Sequence, residues 1–194
     1  MKLIPLLLTA ILSIALLDTA TAQYEEDYAS PDLYLDLSSG IDNHTGILGI
    51  GAMFPFNKKM ALRAGAGIGA WGGKLSAGIK FEDRETNGWG FGLSYSHCPG
   101  LEDMDITFTD ASGGSRVVNL DLLQVGSINF TINRNWVFRN KNIFFLETGY
   151  AAQTGRKDCY QVNDGSTLTP EEDLLMQILR PGGLILALGI RIGL

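Results

Sequence analysis

Eight charged residues stand at alternating positions within otherwise apolar or small-residue segments: Asp36, Arg63, Lys74, Lys80, Glu82, Asp121, Glu147 and Arg191. Both signs occur, so two chemistries are open to them. Along a water-filled path they would conduct ions; in a narrow interior they would pair, because a buried charge persists only with a partner. Cys98 and Cys159 are the only thiols, and a disulfide between them would close a loop of roughly 60 residues, for which chain entropy gives about 4 kcal/mol. His44 follows Asp42 and His97 follows Ser96, which sets an imidazole near a carboxylate or a hydroxyl, but no nucleophile motif surrounds either one. Two Cys and two His give little support to a zinc site, and neither metal nor cofactor is expected. The acidic runs at Glu25, Glu26, Asp27 and at Glu102, Asp103, Asp105 read as solvated charge.

The elements that must hold these groups are strands. From Leu33 onward the chain alternates with period two, the spacing that sends successive side chains to opposite faces. Met60, Leu62, Ala64, Ala66, Ile68 and Ala70 oppose Arg63, Gly65, Gly67 and Gly69; Leu75, Ala77, Ile79 and Phe81 oppose Lys74, Ser76, Gly78, Lys80 and Glu82. Trp89, Phe91, Leu93 and Tyr95 then face away from glycines and serines, and the chain ends on Leu184, Leu186, Leu188, Ile190, Ile192 and Leu194 against Ala187, Gly189, Arg191 and Gly193. Weaker versions fall at 33–38, 47–54, 118–132 and 144–153, which brings the expectation to an eight-stranded antiparallel up-and-down barrel over residues 33–194. Expected short turns at 57–59, 84–87 and 133–142 lie at one end. Links at 42–45, 72–73, 98–116 and 154–181 lie at the other, and both long ones share that end. Within the last, Thr169-Pro170-Glu171-Glu172 supplies an N-cap, a first-turn proline and a capping-box glutamate ahead of LLMQIL, so a short helix is expected. Its Leu174, Leu175, Ile178 and Leu179 are expected to cover the barrel mouth, with membrane or partner contact as the alternative.

Residues 1–22, MKLIPLLLTAILSIALLDTATA, carry one early Lys, an apolar run and a small-x-small Ala20-Thr21-Ala22 site. This reads as a secretory signal peptide cleaved near Ala22, leaving 23–32 as an N-terminal extension. After it no apolar run reaches the ~20 residues of a spanning helix, so any membrane crossing must be by strands. The net charge of −6 at pH 7 excludes a phosphate-backbone partner, and no nucleic acid is expected.

Alternation alone leaves open which stripe faces outward. Charged residues are only 19% of the chain, below the ~25–35% of soluble surfaces, and the non-apolar stripe is mostly Gly, Ser and Asn. That stripe suits a narrow lumen better than a solvated surface. Strands of about ten residues, tilted near 40°, span about 25 Å, the height of a lipid band. Phe54, Phe56, Trp71, Trp89, Tyr95, Trp136 and Phe138 are expected near strand ends, as an interfacial aromatic girdle.

The signal sequence, the eight alternating segments and a last strand running to Leu194 together resemble the small OmpA/OmpX-type outer-membrane barrels of Gram-negative bacteria. The glycine-rich GILGIGAMFPF and MALRAGAGIGAW look most like barrel proteins of the Bacteroidota. LILALGIRIGL resembles the C-terminal signal read by the barrel-assembly machinery, ending in Leu where Phe is commoner. The resemblance implies an outer-membrane location, outer-membrane lipid and lipopolysaccharide as surroundings, and the assembly machinery as a partner during biogenesis. It implies a non-enzymatic envelope or surface-contact role, with the charges as a lumen plug. Two alternatives stand beside it: a rim enzyme modifying lipid A acyl chains through His44 or His97, and a soluble periplasmic lipocalin-like barrel holding an apolar ligand.

Overall fold

The computed structural model describes residues 31–109, 114–138, 141–155 and 158–194. The expected signal peptide and its cleavage site lie outside the described residues, as does most of the extension. The strands are β1 (Tyr34–Ile41), β2 (Leu48–Asn57), β3 (Met60–Gly69), β4 (Gly72–Glu82), β5 (Gly88–Cys98), β6 (Leu101–Thr109), β7 (Ser115–Leu122), β8 (Val125–Phe138), β9 (Asn142–Thr154), β10 (Tyr160–Val162) and β11 (Gly183–Gly193); one helix, α1, covers Pro170–Leu179.

Eight of these strands close into an antiparallel barrel in the order β1-β11-β9-β8-β5-β4-β3-β2. Closure is made by the last strand against the first, in register from Tyr34 opposite Gly193 to Ile41 opposite Leu186. Leaving no free edge is what lets a sheet this polar on one face stand alone. Neighbours in sequence pair directly except where the chain leaves the barrel between β5 and β8 and between β9 and β11. Both excursions start from the end that also carries the 42–47 link.

The excursions are not plain loops. β10, β7 and β6 form a separate three-stranded sheet, which places strands within the expected outer links and corrects the expectation of one continuous barrel strand through 118–132. Val118, Leu120 and Leu122 share the parity of Ile128, Phe130 and Ile132, so the sequence pattern ran through the break. The first three are buried under the accessory sheet, whereas the second three are exposed on the barrel wall. The expected long turn at 133–142 also shrinks, since β8 runs to Phe138 and β9 begins at Asn142.

The main apolar core lies outside the barrel proper, at the long-link end. Trp71, Cys98, Phe108, Val118, Leu120, Leu122, Val125, Cys159 and Met176 pack there. Trp71 therefore is not a girdle residue: it is 2% exposed, and its indole N–H donates to the Leu123 carbonyl at 2.9 Å. A smaller cluster of Tyr34, Met53, Ala61 and Ile143 closes the opposite end. Of the other expected aromatics, Phe54, Phe56, Trp89, Trp136 and Phe138 lie toward that end, where Trp136 stands 5.5 Å from Phe144 between ring centroids and the Arg134 guanidinium 5.5 Å from the Trp89 ring centroid, whereas Tyr95 lies toward the other end, opposite Ile128.

Candidate functional site: the charged barrel interior

Strand parity decides which side chains enter the barrel. Leu62, Ile79, Leu93 and Leu188 are 49%, 38%, 46% and 53% exposed, while their neighbours Arg63 and Lys80 are 4% and 1% exposed. The apolar stripe thus faces away from the barrel axis and the polar stripe faces in. An interior of the lipocalin kind, lined by apolar side chains around a ligand cavity, is the reverse of this arrangement.

Seven of the eight charges expected in the interior are there: Asp36, Arg63, Lys74, Lys80, Glu82, Glu147 and Arg191 are each no more than 4% exposed. The pairs Arg63–Glu147, Lys80–Glu147 and Arg191–Glu82 join strands that are not neighbours in the sheet, so these bonds cross the barrel, whereas Arg191 also meets Asp36 directly opposite it on the adjoining β1. Glu147 of β9 accepts from Arg63 Nη1 of β3 at 3.0 Å and also from Lys80 of β4. Arg191 of β11 donates to Glu82 of β4 at 2.6 Å, lies 3.4 Å from Asp36 of β1, and stacks 4.3 Å above the centroid of Phe145. The remaining oxygen of Glu82 accepts from Asn133 and Asn135 at 2.8 and 3.0 Å, and Lys80 Nζ also reaches Asn133 Oδ1 at 2.8 Å. Each carboxylate therefore faces at least one cation, the condition under which buried charge is tolerated.

Asp121 is the exception and corrects the expectation. It lies on β7 of the accessory sheet, where its Oδ1 accepts the Asp103 backbone N–H at 2.8 Å and the Asn163 amide at 2.8 Å. Those bonds hold its carboxyl below the usual aspartate range. Its misplacement follows from the strand break at 123–124, which parity cannot reveal.

Other interior residues escaped the sequence reading: Asn133 and Asn135, expected in the turn at 133–142, are fully buried on β8, and three more come from an outer link. Asn43, His44 and Thr45, expected on an outer link, are at most 3% exposed, because the link folds back into the barrel. Asn43 Nδ2 donates to Ser38 Oγ and Thr45 Oγ1, both at 2.9 Å. His44 Nδ1 is bonded to Asn43 Oδ1 at 2.8 Å and contacts Arg63. Lys74 Nζ holds the base of the link through Asp42 Oδ1 at 2.5 Å. Glycine makes the room: a Cβ at Gly65 would come within 2.8 Å of Thr45 Cγ2, and one at Gly51 within 3.3 Å of His44 Nε2. The available signal was the run of inward glycines on β2 and β3 facing a short polar link. His44, compared at first with a rim base, is thus an interior residue bonded to an amide and a guanidinium. His97 lies on β5 opposite Leu75 and Gly126.

The expected disulfide is also corrected. Cys98 and Cys159 sit in one apolar cluster but as free, buried thiols, and burial raises the Cys159 thiol pKa.

The expected helix is present, with both halves of its capping box formed around Thr169 and Glu172. It is fastened to the accessory sheet by Arg116, whose Nη2 lies 2.5 Å from Glu172 Oε2, and by Tyr160, whose hydroxyl donates to Asp173 at 2.6 Å. Hydrogen bonds from Arg116 first, and then from the Thr169 backbone, hold the Glu172 carboxyl down at about 2. Burial, reinforced by Asp173, pushes the Tyr160 phenol up to about 12. Met176 alone of the helix is buried. Leu174, Leu175, Ile178 and Leu179, expected over the barrel mouth, are instead exposed.

No protein-family model and no curated protein matches the chain.

Proposed function

We propose that this chain is a non-enzymatic outer-membrane β-barrel, resembling the OmpA/OmpX type, whose lumen is plugged by its own charged residues and its inward-folded link. The observation that carries the reading is the inverted partition of side chains. Leu, Ile, Phe and Ala cover the wall from β1 through β11, whereas Arg63, Lys80, Glu82, Glu147 and Arg191 fill the axis. Water would penalise such a wall, at ~25 cal/mol for each Å² of apolar surface; acyl chains would not. No helix among the described residues is long and apolar enough to cross a membrane, so strands are the elements left to do so.

The interior supports a plug more than a path. An eight-stranded barrel has room for its own side chains and little else, and here those side chains are bonded across the axis. What is left to interact outside the envelope is the accessory sheet with α1. That assigns the chain a structural or surface-contact role, with outer-membrane lipid and lipopolysaccharide as its surroundings and the barrel-assembly machinery as its partner in biogenesis.

Fractionation of expressing cells tests this directly. The protein is expected in the outer-membrane fraction, extractable only with detergent, and running faster on gels when unheated than when boiled. Recovery from the soluble periplasmic fraction without detergent would refute the proposal.

A further inference from the structure

Helix α1 has two unlike faces. One is spent on the protein: Met176 enters the apolar cluster, Asp173 accepts from Tyr160 and Glu172 from Arg116. Opposite it, Leu174, Leu175, Ile178 and Leu179 recur at the spacing of a single helical face, exposed by 57%, 44%, 70% and 43%. Two of the three first-turn acids, Glu172 and Asp173, are thereby turned away from this face, while the third, exposed Glu171, lies on it one turn before Leu174 and Leu175, so the apolar part of the face runs from Leu174 to the C-terminal end of the helix. Only residues 181–183 separate the C-cap Arg180 from Leu184, the first outward residue of β11, itself 65% exposed. That joint is held down, since Gln153 of β9 donates to the Pro181 carbonyl at 2.7 Å. The helix is therefore joined to the apolar wall of the barrel through one short, anchored connection.

We propose that this face of α1 lies on the lipid surface, in the boundary between headgroups and acyl chains, as a collar joined to the barrel wall. A short helix with one apolar and one polar face, lying in the plane of the interface, is the arrangement such boundaries favour. Lipid is the fitting occupant because the four apolar residues lie toward the end of the helix that joins the wall, while Glu171 stands at the far end, where a headgroup layer accepts charge, and Glu172 and Asp173 are held on the protein side. The inference rests on the membrane reading above.

Methyl-labelled protein, reconstituted in phosphatidylcholine nanodiscs, separates the two. Cross-relaxation from lipid protons is expected at the methyls of Leu174, Leu175, Ile178 and Leu179 as well as at the wall residues Leu186, Leu188 and Ile190. Lipid contacts at the wall with only water contacts at the helix would overturn the collar and leave the barrel reading standing. Contacts from the helix methyls to a second copy of the chain would also overturn it. Absence of lipid contacts at wall and helix alike would remove both proposals. Replacing Leu174, Leu175 and Ile178 together by Gln, at positions on the exposed face, is expected to abolish the lipid contact of the Leu179 methyls that remain and to leave those of the wall intact; an undiminished Leu179 contact would overturn the collar.

Discussion

Glu147 is the residue on which the interior turns. It is fully buried and meets two cations, Arg63 and Lys80, that reach it from across the barrel. Removing it leaves both without their shared counter-charge, and breaking a buried pair from one side costs about 3–5 kcal/mol. Glu147→Gln is expected to lower the unfolding free energy by about that amount, measured by urea titration in lipid vesicles. Adding Lys80→Met should restore part of the loss, because one orphaned charge then disappears. A single-variant effect below about 1 kcal/mol would mean that water, rather than Glu147, solvates these cations. At this scale the sequence was informative in one respect only. Parity named seven of the charges that enter, because a strand sends successive side chains to opposite faces of its pleat, but it misplaced Asp121 and was silent on partners. Arg63 and Glu147 are far apart in the chain and on strands that do not touch, so only barrel closure brings them together.

Among the elements, the barrel strands were readable and the accessory unit was not. β3, β4, β5 and β11 each have one face apolar and the other small or charged, and so declare themselves. β6 and β7 were obscured by acids at Glu102, Asp103 and Asp105 and by an apolar phase that runs on unchanged into β8. The 42–47 link was misread for another reason: short polar segments between strands normally face water, and only the glycine sockets on β2 and β3 permit this one to turn inward. Helix α1 was legible because its capping box is local. Its docking is pH-dependent in a definite sense. The folded carboxyl of Glu172 titrates at about 2, below its ordinary value of 4.5, so the Arg116 pair stabilises docking fully above the ordinary value and is lost as pH falls through the folded one. A carboxyl NMR titration is expected to place Glu172 near 2 and to return it toward 4.5 in Arg116→Ala. An unchanged midpoint in that variant would show that the capping box alone sets it.

For the molecule as a whole, the consequential fact is the direction in which the strands present their two stripes. Charge sparseness and glycine content pointed to an apolar exterior, and the barrel has one. Its core is displaced to the end that carries the accessory sheet, where Trp71, Leu120 and Met176 pack together, while the middle of the axis carries the bonded charges, with Phe145 beneath Arg191. Spin-label scanning along β11 in lipid vesicles, at each position from Leu184 to Ile190, tests the proposed setting of this architecture most directly. Oxygen accessibility is expected to peak at Leu184, Leu186, Leu188 and Ile190 and to fall at Ile185, Ala187 and Gly189, with little access to a water-soluble nickel chelate at the peaks. Peaks of nickel rather than oxygen accessibility at Leu186 and Leu188 would place that wall in water and contradict the account.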